Sequence, residues 1–136
     1  MIQAKTGVLK NLKRNLAEWA KYDSFLERDY MLELEHTGGV KEWTKTHGIK
    51  IPYKIFGILP HNYLPDFLVT FEDGSQELHE TKGAGFLAWA STHAKRKAAD
   101  EWCKKRGMKY RFIENSRGAL FAQNQALDKL EIFSKK

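Results

Sequence analysis

Two acidic residues and a lysine are spaced so that they could assemble a metal-assisted hydrolytic site. Asp66 lies near the start of one apolar, strand-like run, and Glu80 and Lys82 lie two residues apart at the end of the next run. Because side chains alternate along a strand, Glu80 and Lys82 point to the same face. Carboxylates suit a hard divalent cation, and a nearby lysine can stabilise negative charge developing on a phosphate. The pattern indicates phosphodiester hydrolysis, with Asp66, Glu80 and the carbonyl of Thr81 binding the metal.

A simpler interpretation exists for each of these residues. Glu80 and Lys82 could form a surface salt bridge, which would contribute little to stability. Their position favours a site, because Gly83 follows directly and would let a phosphate backbone approach closely. Asp66 could lie exposed where a strand begins. Its place after Pro65, within an apolar run, favours a buried carboxylate that needs a charge partner or a metal.

A predicted β-hairpin positions the acids. Period-two patterns predict strands over residues 63–71 and 76–82, and the turn residues Glu72-Asp73-Gly74-Ser75 lie between them. Antiparallel pairing of these strands would bring Asp66 close to Glu80.

A third carboxylate, Glu27, has two open interpretations. Ser24 is a suitable N-cap for a helix predicted over 25–36, and Glu27 three residues later would complete a capping box. Alternatively, Glu27 is a third metal-site carboxylate carried on that helix. The two roles partly exclude each other, because a carboxylate bonded to the Ser24 backbone is less free to bind a metal.

The remaining periodicity predicts an α/β domain with a mixed, mostly buried sheet and helices packed on it. The helix predicted between Lys82 and Lys109 allows a right-handed crossover to a strand parallel to its neighbour. Gly107 is expected to end that helix. The other predicted elements are a helix over 9–19, strands over 40–45 and 49–56, a turn over 59–62, a helix over 89–106, a strand over 109–114 and a helix over 118–133.

The bulk composition fits one soluble domain over residues 1–136 that binds a polyanion. The chain is 42% hydrophobic and carries a formal charge of +6, which favours a nucleic-acid partner. Cys103 is the only cysteine, so an intramolecular disulfide and a cysteine-based zinc cluster are excluded. Residues 1–5 lack a signal-peptide pattern and no apolar run reaches membrane-spanning length, so we expect a cytoplasmic protein of a bacterium or a phage-infected cell. The five histidines form no close pair, which argues against a zinc enzyme.

The long helix carries a basic cluster that follows the candidate site in the chain. Its residues could contact DNA phosphates, or they could form an ordinary solvated helix face, and the sequence leaves both interpretations open. The predicted phosphate-binding residues are Lys95, Arg96, Lys97, Lys104 and Lys105.

The motifs together resemble the PD-(D/E)XK nuclease superfamily, and they are most similar to the catalytic domain of TnsA-type transposon endonucleases. The stretches that carry this resemblance are 24–29 (SFLERD), 51–53 (IPY), 63–69 (YLPDFLV) and 80–82 (ETK). The resemblance implies a restriction-endonuclease-like α/β core, with a central mixed sheet flanked by helices. It implies a Mg²⁺-dependent endodeoxyribonuclease in which Mn²⁺ could substitute. Glu27, Asp66 and Glu80 would surround the metal, and Lys82 would be the catalytic lysine.

Chain length bears on the substrate and the partners. TnsA-type proteins carry an additional C-terminal domain that works with a transposase, whereas about 25 residues follow the last predicted strand here. In size the chain resembles phage and archaeal Holliday-junction resolvases of the same superfamily, which act as homodimers. We therefore expect a structure-selective endonuclease on branched DNA. The alternatives are a TnsA-like transposon or phage nicking endonuclease that needs partner proteins, and a non-catalytic nucleic-acid-binding module.

Overall fold

The computed structural model describes residues 6–81 and 89–113. Within these residues no helix is both long and apolar enough to cross a membrane. The elements in chain order are β1 (Gly7–Leu9), β2 (Ala20–Tyr22), α1 (Phe25–His36), β3 (Val40–Thr44), β4 (Ile51–Ile55), β5 (Leu59–Tyr63), β6 (Phe67–Phe71), β7 (Gln76–Thr81), α2 (Trp89–Lys105) and β8 (Lys109–Ile113).

A four-stranded mixed sheet with the order β3-β6-β7-β8 forms the centre of the fold. β6 pairs antiparallel with both β3 and β7, so the predicted hairpin is confirmed. β8 pairs parallel with β7, and α2 lies between them in the chain, as the crossover rule predicts. The predicted α/β class, with a mixed sheet flanked by helices, is confirmed.

The two faces of the sheet bury different apolar clusters. Phe67 and Val69 of β6 face α1 and pack with its buried residues Tyr30 and Leu34. Leu68 and Leu78 face the other side, together with α2 and the hairpin β4–β5. Because strand side chains alternate, each strand contributes one set of residues to each cluster.

Both described helices begin or end near the predicted residues. α1 spans Phe25–His36 as predicted, and the Ser24 hydroxyl accepts a hydrogen bond of 3.0 Å from the Glu27 N–H. α2 spans Trp89–Lys105, and Gly107 follows with a φ of +69°, the left-handed conformation expected beyond a helix C-terminus.

The helix predicted over 9–19 is wrong. This segment contains the end of β1 and an irregular loop that leads into β2. Asn11 adopts a φ of +59°, which no α-helix contains. The N–H groups of Lys13 and Arg14 bond to the carboxylate of Glu35 on α1 instead of to helical carbonyls. Tertiary hydrogen bonds thus override the apolar spacing that predicted the helix.

The chain between β4 and the β6–β7 hairpin also differs from the prediction. Residues 59–62 are not a turn but belong to β5, which pairs antiparallel with β4. The turn lies instead at residues 56–58, where Gly57 has a φ of +70°. The strand predicted over 63–71 is divided, because Tyr63 ends β5 and Phe67 begins β6. Lys82, Gly83, Glu114 and the final helix predicted over 118–133 lie outside the described residues.

A buried polar network crosses the α1 face of the sheet. The Tyr30 hydroxyl bonds to His79 Nδ1, and His79 Nε2 lies 2.9 Å from Glu77 Oε1. Arg111 on β8 donates to the same Glu77 oxygen through Nε at 2.5 Å. Burial lowers the pKa of His79. In the neutral ring, Nε2–H donates to Glu77 and Nδ1 accepts from Tyr30.

Candidate active site

The carboxylate of Asp66 is fixed by the backbone of β7. Its Oδ2 accepts hydrogen bonds from the Thr81 N–H at 2.9 Å and from the Thr81 hydroxyl at 2.8 Å. Phe67 pairs with His79 in the ladder, so extending the register by one residue places Asp66 opposite Glu80. Directly opposed residues have Cβ atoms about 5 Å apart. The hairpin therefore brings the two predicted acids together.

Glu80 is buried and is held by a pair of tyrosines. Its side chain is on the α2 face, and the residue is only 5% exposed. Tyr63, the last residue of β5, is hydrogen-bonded to Glu80, and its hydroxyl lies 2.8 Å from that of Tyr110 on β8. Burial and the nearby Glu80 charge raise the pKa of both tyrosines. Because a carboxylate can only accept, Tyr63 donates to Glu80 and Tyr110 donates to Tyr63.

Glu27 is bound by a lysine that the sequence did not single out. Lys45, directly after β3, donates to the Glu27 carboxylate and also to the carbonyl of Lys21 at 2.6 Å. Burial raises the pKa of Glu27, the negative Asp66 adds to the rise, and Lys45 opposes it. Among the described hydrogen bonds, none joins the Glu27 carboxylate to the Ser24 N–H. Only the Ser24 half of the predicted capping box is therefore formed.

The donor set fits a hard divalent cation at Asp66 and Glu80. Both candidate ligands are carboxylates, and the Tyr110 hydroxyl experiences the negative potential of both. Oxygen-only sites of this kind are those that Mg²⁺ binds. Within residues 6–81 and 89–113, however, no group of three or more His, Cys, Asp or Glu side chains is arranged to hold a metal. Glu27 as a metal ligand stays a prediction.

The predicted phosphate-binding residues divide into two groups along α2. The ammonium of Lys95 lies 5.7 Å from the centre of the Tyr63 ring, and the Arg96 guanidinium lies 4.3 Å from that of Phe112. Arg96 and Lys97 line a cleft that Tyr110 also borders. Lys95 and Arg96 therefore lie against rings that neighbour Glu80, and Lys97 borders the same cleft as Arg96.

The other two predicted cations lie further along the helix. Lys104 and Lys105 are exposed about two turns beyond Arg96. Lys104 is paired with Asp100 at 2.9 Å. Their contact with DNA stays a prediction.

Comparison with known families identifies the chain. A family model described as "TnsA-like endonuclease N terminal" matches residues 38–115, which is more than half of the sequence. The chain belongs to this TnsA-like family. Membership indicates a nuclease and agrees with the mixed sheet and its flanking helices. No curated protein and no solved structure matches the sequence significantly.

The matched range contains most of the candidate site of this TnsA-like domain. It includes Asp66, Glu80 and Lys82, and also Lys45 and Tyr63. Glu27 lies outside the matched range, so the family match gives no information about its role. That role is inferred from the contacts around α1.

A pair of substitutions separates the capping and metal-site roles of this helix terminus. We expect Ser24→Ala to lower the free energy of unfolding by about 1 kcal/mol, because it removes the cap on the Glu27 N–H, and to leave cleavage intact. Glu27→Gln retains the cap and the side-chain shape but removes the charge, so we expect it to reduce metal-dependent cleavage by at least about tenfold. Urea unfolding and a cleavage time course would measure the two effects. Full activity in Glu27→Gln would restrict Glu27 to a structural role.

Sequence reasoning missed Lys45, Tyr63 and Tyr110. Tyr110 could have been found, because β8 pairs with β7 in register and Tyr110 lies beside Leu78 on the face that also presents Glu80. The role of Tyr63 was not recognised, because the alternation pattern placed Tyr63 and Asp66 in one predicted strand. Lys45 gave no signal, since its pairing with Glu27 depends on how α1 packs.

Proposed function

We propose that this TnsA-like domain is a metal-dependent DNA endonuclease. The observation that carries the proposal is the carboxylate of Asp66, held by both Thr81 donors and placed across the hairpin from buried Glu80. Glu80 is buried and Asp66 is partly buried, and bringing two carboxylates together away from water is unfavourable unless a cation compensates them. A DNA-binding module without catalysis would gain nothing from acids that repel phosphate.

The proposed roles follow from the contacts of each residue. Asp66 and Glu80 would hold Mg²⁺, with the Thr81 carbonyl as a further oxygen ligand. A bound divalent cation supplies positive charge at the phosphate and an activated water. Tyr63 and Tyr110 orient Glu80 through their hydrogen bonds. Lys82 would stabilise the negative charge that develops on the phosphate during in-line attack.

Positive charge beside the acids supports DNA as the substrate. Arg96 and Lys97 line the cleft next to Tyr110, so a phosphate backbone in that cleft would pass close to Glu80. The net charge of +6 also favours a polyanionic substrate such as DNA.

The family match favours a nicking activity of the TnsA type, which would act together with partner proteins such as a transposase. A Holliday-junction resolvase that works as a homodimer remains the alternative for the same site. The final helix that could cover a dimer interface lies outside the described residues.

The decisive test is cleavage of a labelled four-way junction, a linear duplex and a single strand of the same sequence, with Mg²⁺ and with a chelator. We expect Mg²⁺-dependent cuts that Lys82→Ala reduces by about 10²-fold or more, because the lysine charge no longer stabilises the phosphate. Lys41→Ala, which removes an exposed lysine on β3, is the matched control and should cut normally.

The substrate pattern distinguishes the alternatives. Paired, symmetric cuts on the junction alone would establish the resolvase, and single-strand cuts on duplex would establish the nicking enzyme. Metal-independent cutting, or cutting that Lys82→Ala does not change, would contradict the proposed mechanism. Binding without any cutting would favour the non-catalytic module or a nuclease that requires its partners.

A further inference from the structure

The hairpin β4–β5 ends in an apolar tip that joins neither hydrophobic cluster formed by residues 6–81 and 89–113. Phe56 is 81% exposed and Ile58 is 75% exposed, and Leu59 beside them is also exposed. Large apolar side chains grouped at the end of a protruding ribbon contribute no core packing. Their exposure therefore points to a surface that another molecule covers.

The backbone of Phe56 strengthens this argument. Its φ of +54° lies in the left-handed region, which is unfavourable for a bulky side chain and common for glycine and asparagine. An exposed aromatic residue at this position lowers stability without a packing benefit. Strained residues of this kind are found mostly where they serve function.

The charge around the tip identifies the kind of partner. The segment 46–65 contains no aspartate or glutamate, whereas it carries Lys50 and Lys54 together with two histidines. Lys54 is exposed and pairs across the ribbon with Pro60, close to the tip. A positively charged ribbon with apolar side chains at its end matches DNA, whose phosphates attract the lysines while its base steps accept apolar wedges.

The hairpin is also continuous with the candidate active site. Tyr63 ends β5 and donates to Glu80, while Ile51 and Tyr63 are buried in the cluster beneath α2. The base of the ribbon is thus anchored next to Glu80, and the tip lies at the opposite end of the ribbon. Five strand residues span about 16 Å. At 3.4 Å per base pair, that length corresponds to about five base pairs of duplex.

We infer that the tip residues Phe56 and Ile58 insert between base pairs and distort DNA within about five base pairs of the phosphate that is cut. This inference rests on the proposed function and adds a specific contact to it. Partial unstacking beside the scissile phosphate would bend the duplex toward the acids. A protein partner for the same tip is the competing assignment.

The test uses the full chain with Asp66→Asn, so that DNA is bound and not cut. A 30-base-pair duplex would carry one 2-aminopurine, moved through successive positions, and its fluorescence would report unstacking. We expect a several-fold increase at one or two neighbouring positions. Phe56→Asn and Ile58→Ser should abolish the increase and weaken binding by about tenfold.

The controls separate contact with DNA from damage to the fold. Because asparagine tolerates the left-handed conformation, Phe56→Asn should raise the unfolding temperature, by about 2 °C, while it weakens DNA binding. Leu32→Asn replaces an exposed leucine on α1, which is 39% exposed, and should leave the fluorescence signal unchanged.

Three outcomes would overturn the inference. If the tip variants bind DNA and raise fluorescence as the parent protein does, the tip does not touch DNA, and a protein partner becomes the better assignment. A signal much further than five base pairs from the mapped cut would contradict the geometry. If the parent protein binds no DNA at all, the inference and the proposed function both fail, whereas the first two outcomes overturn the inference alone.

Discussion

Asp66→Asn is expected to lower the rate of metal-dependent cleavage by about 10³-fold while the protein stays folded. The Asn side chain still offers an oxygen to the Thr81 N–H, so the local hydrogen bond is retained. The negative charge that would hold the cation is lost. Removing that charge also removes repulsion toward phosphate, so DNA affinity in metal-free buffer should be unchanged or higher. Single-turnover cleavage and a binding titration would measure the two effects.

The matched control for this variant is Asp73→Asn in the turn of the same hairpin. Asp73 is exposed, and its Oδ1 accepts from the Ser75 N–H at 2.9 Å, so the substitution again keeps the acceptor and removes the charge. Its cleavage rate should equal that of the wild type. If both variants cut normally, Asp66 is a structural residue and the proposed metal site is wrong.

Arg111→Met is expected to lower the free energy of unfolding by about 3 kcal/mol, because it leaves the buried Glu77 charge with a single partner. Burial alone would raise the pKa of Glu77, but hydrogen bonds from His79 and Arg111 outweigh it and hold the pKa at about 2. A carboxyl with a depressed pKa stabilises the fold above its unfolded pKa of about 4.5 and loses that contribution as pH falls toward 2. The difference between wild type and variant should therefore be largest at pH 7 and shrink below about pH 5.

Lys109→Met on the same strand is the control for Arg111→Met. Lys109 is exposed, so replacing it should change stability by less than about 0.5 kcal/mol. Urea unfolding at pH 7 and at pH 4 would measure both variants. Equal stability of Arg111→Met and Lys109→Met at pH 7 would show that the network does not stabilise the fold.

The sequence predicted the β6–β7 hairpin because its signals are local. Alternation and turn residues place Asp66 across from Glu80 whatever the rest of the chain does. α1 was equally predictable, since its cap and its apolar spacing lie within one segment.

The wrong predictions concern segments whose structure depends on distant contacts. The conformation of the loop before β2 depends on hydrogen bonds to the Glu35 carboxylate. Glu35 is 21 residues away from Arg14 in the sequence. The residues Leu59–Tyr63 form a strand only because β4 pairs with them, although Pro60 and Asn62 favour a turn. The pairing of Lys45 with Glu27 likewise joins elements 18 residues apart.

Because side chains alternate along β7, neighbouring residues of this short strand lie on different faces of the sheet and have different roles. Glu77 and His79 belong to the network that stabilises the α1 face, whereas Leu78 and Glu80 lie on the face of the acids. Glu77 and Glu80 are about 10 Å apart along the strand, a separation at which substitutions usually act additively. Selection or engineering could thus adjust the resistance of this domain to heat or acid through Glu77 and His79 without altering the chemistry of the acids.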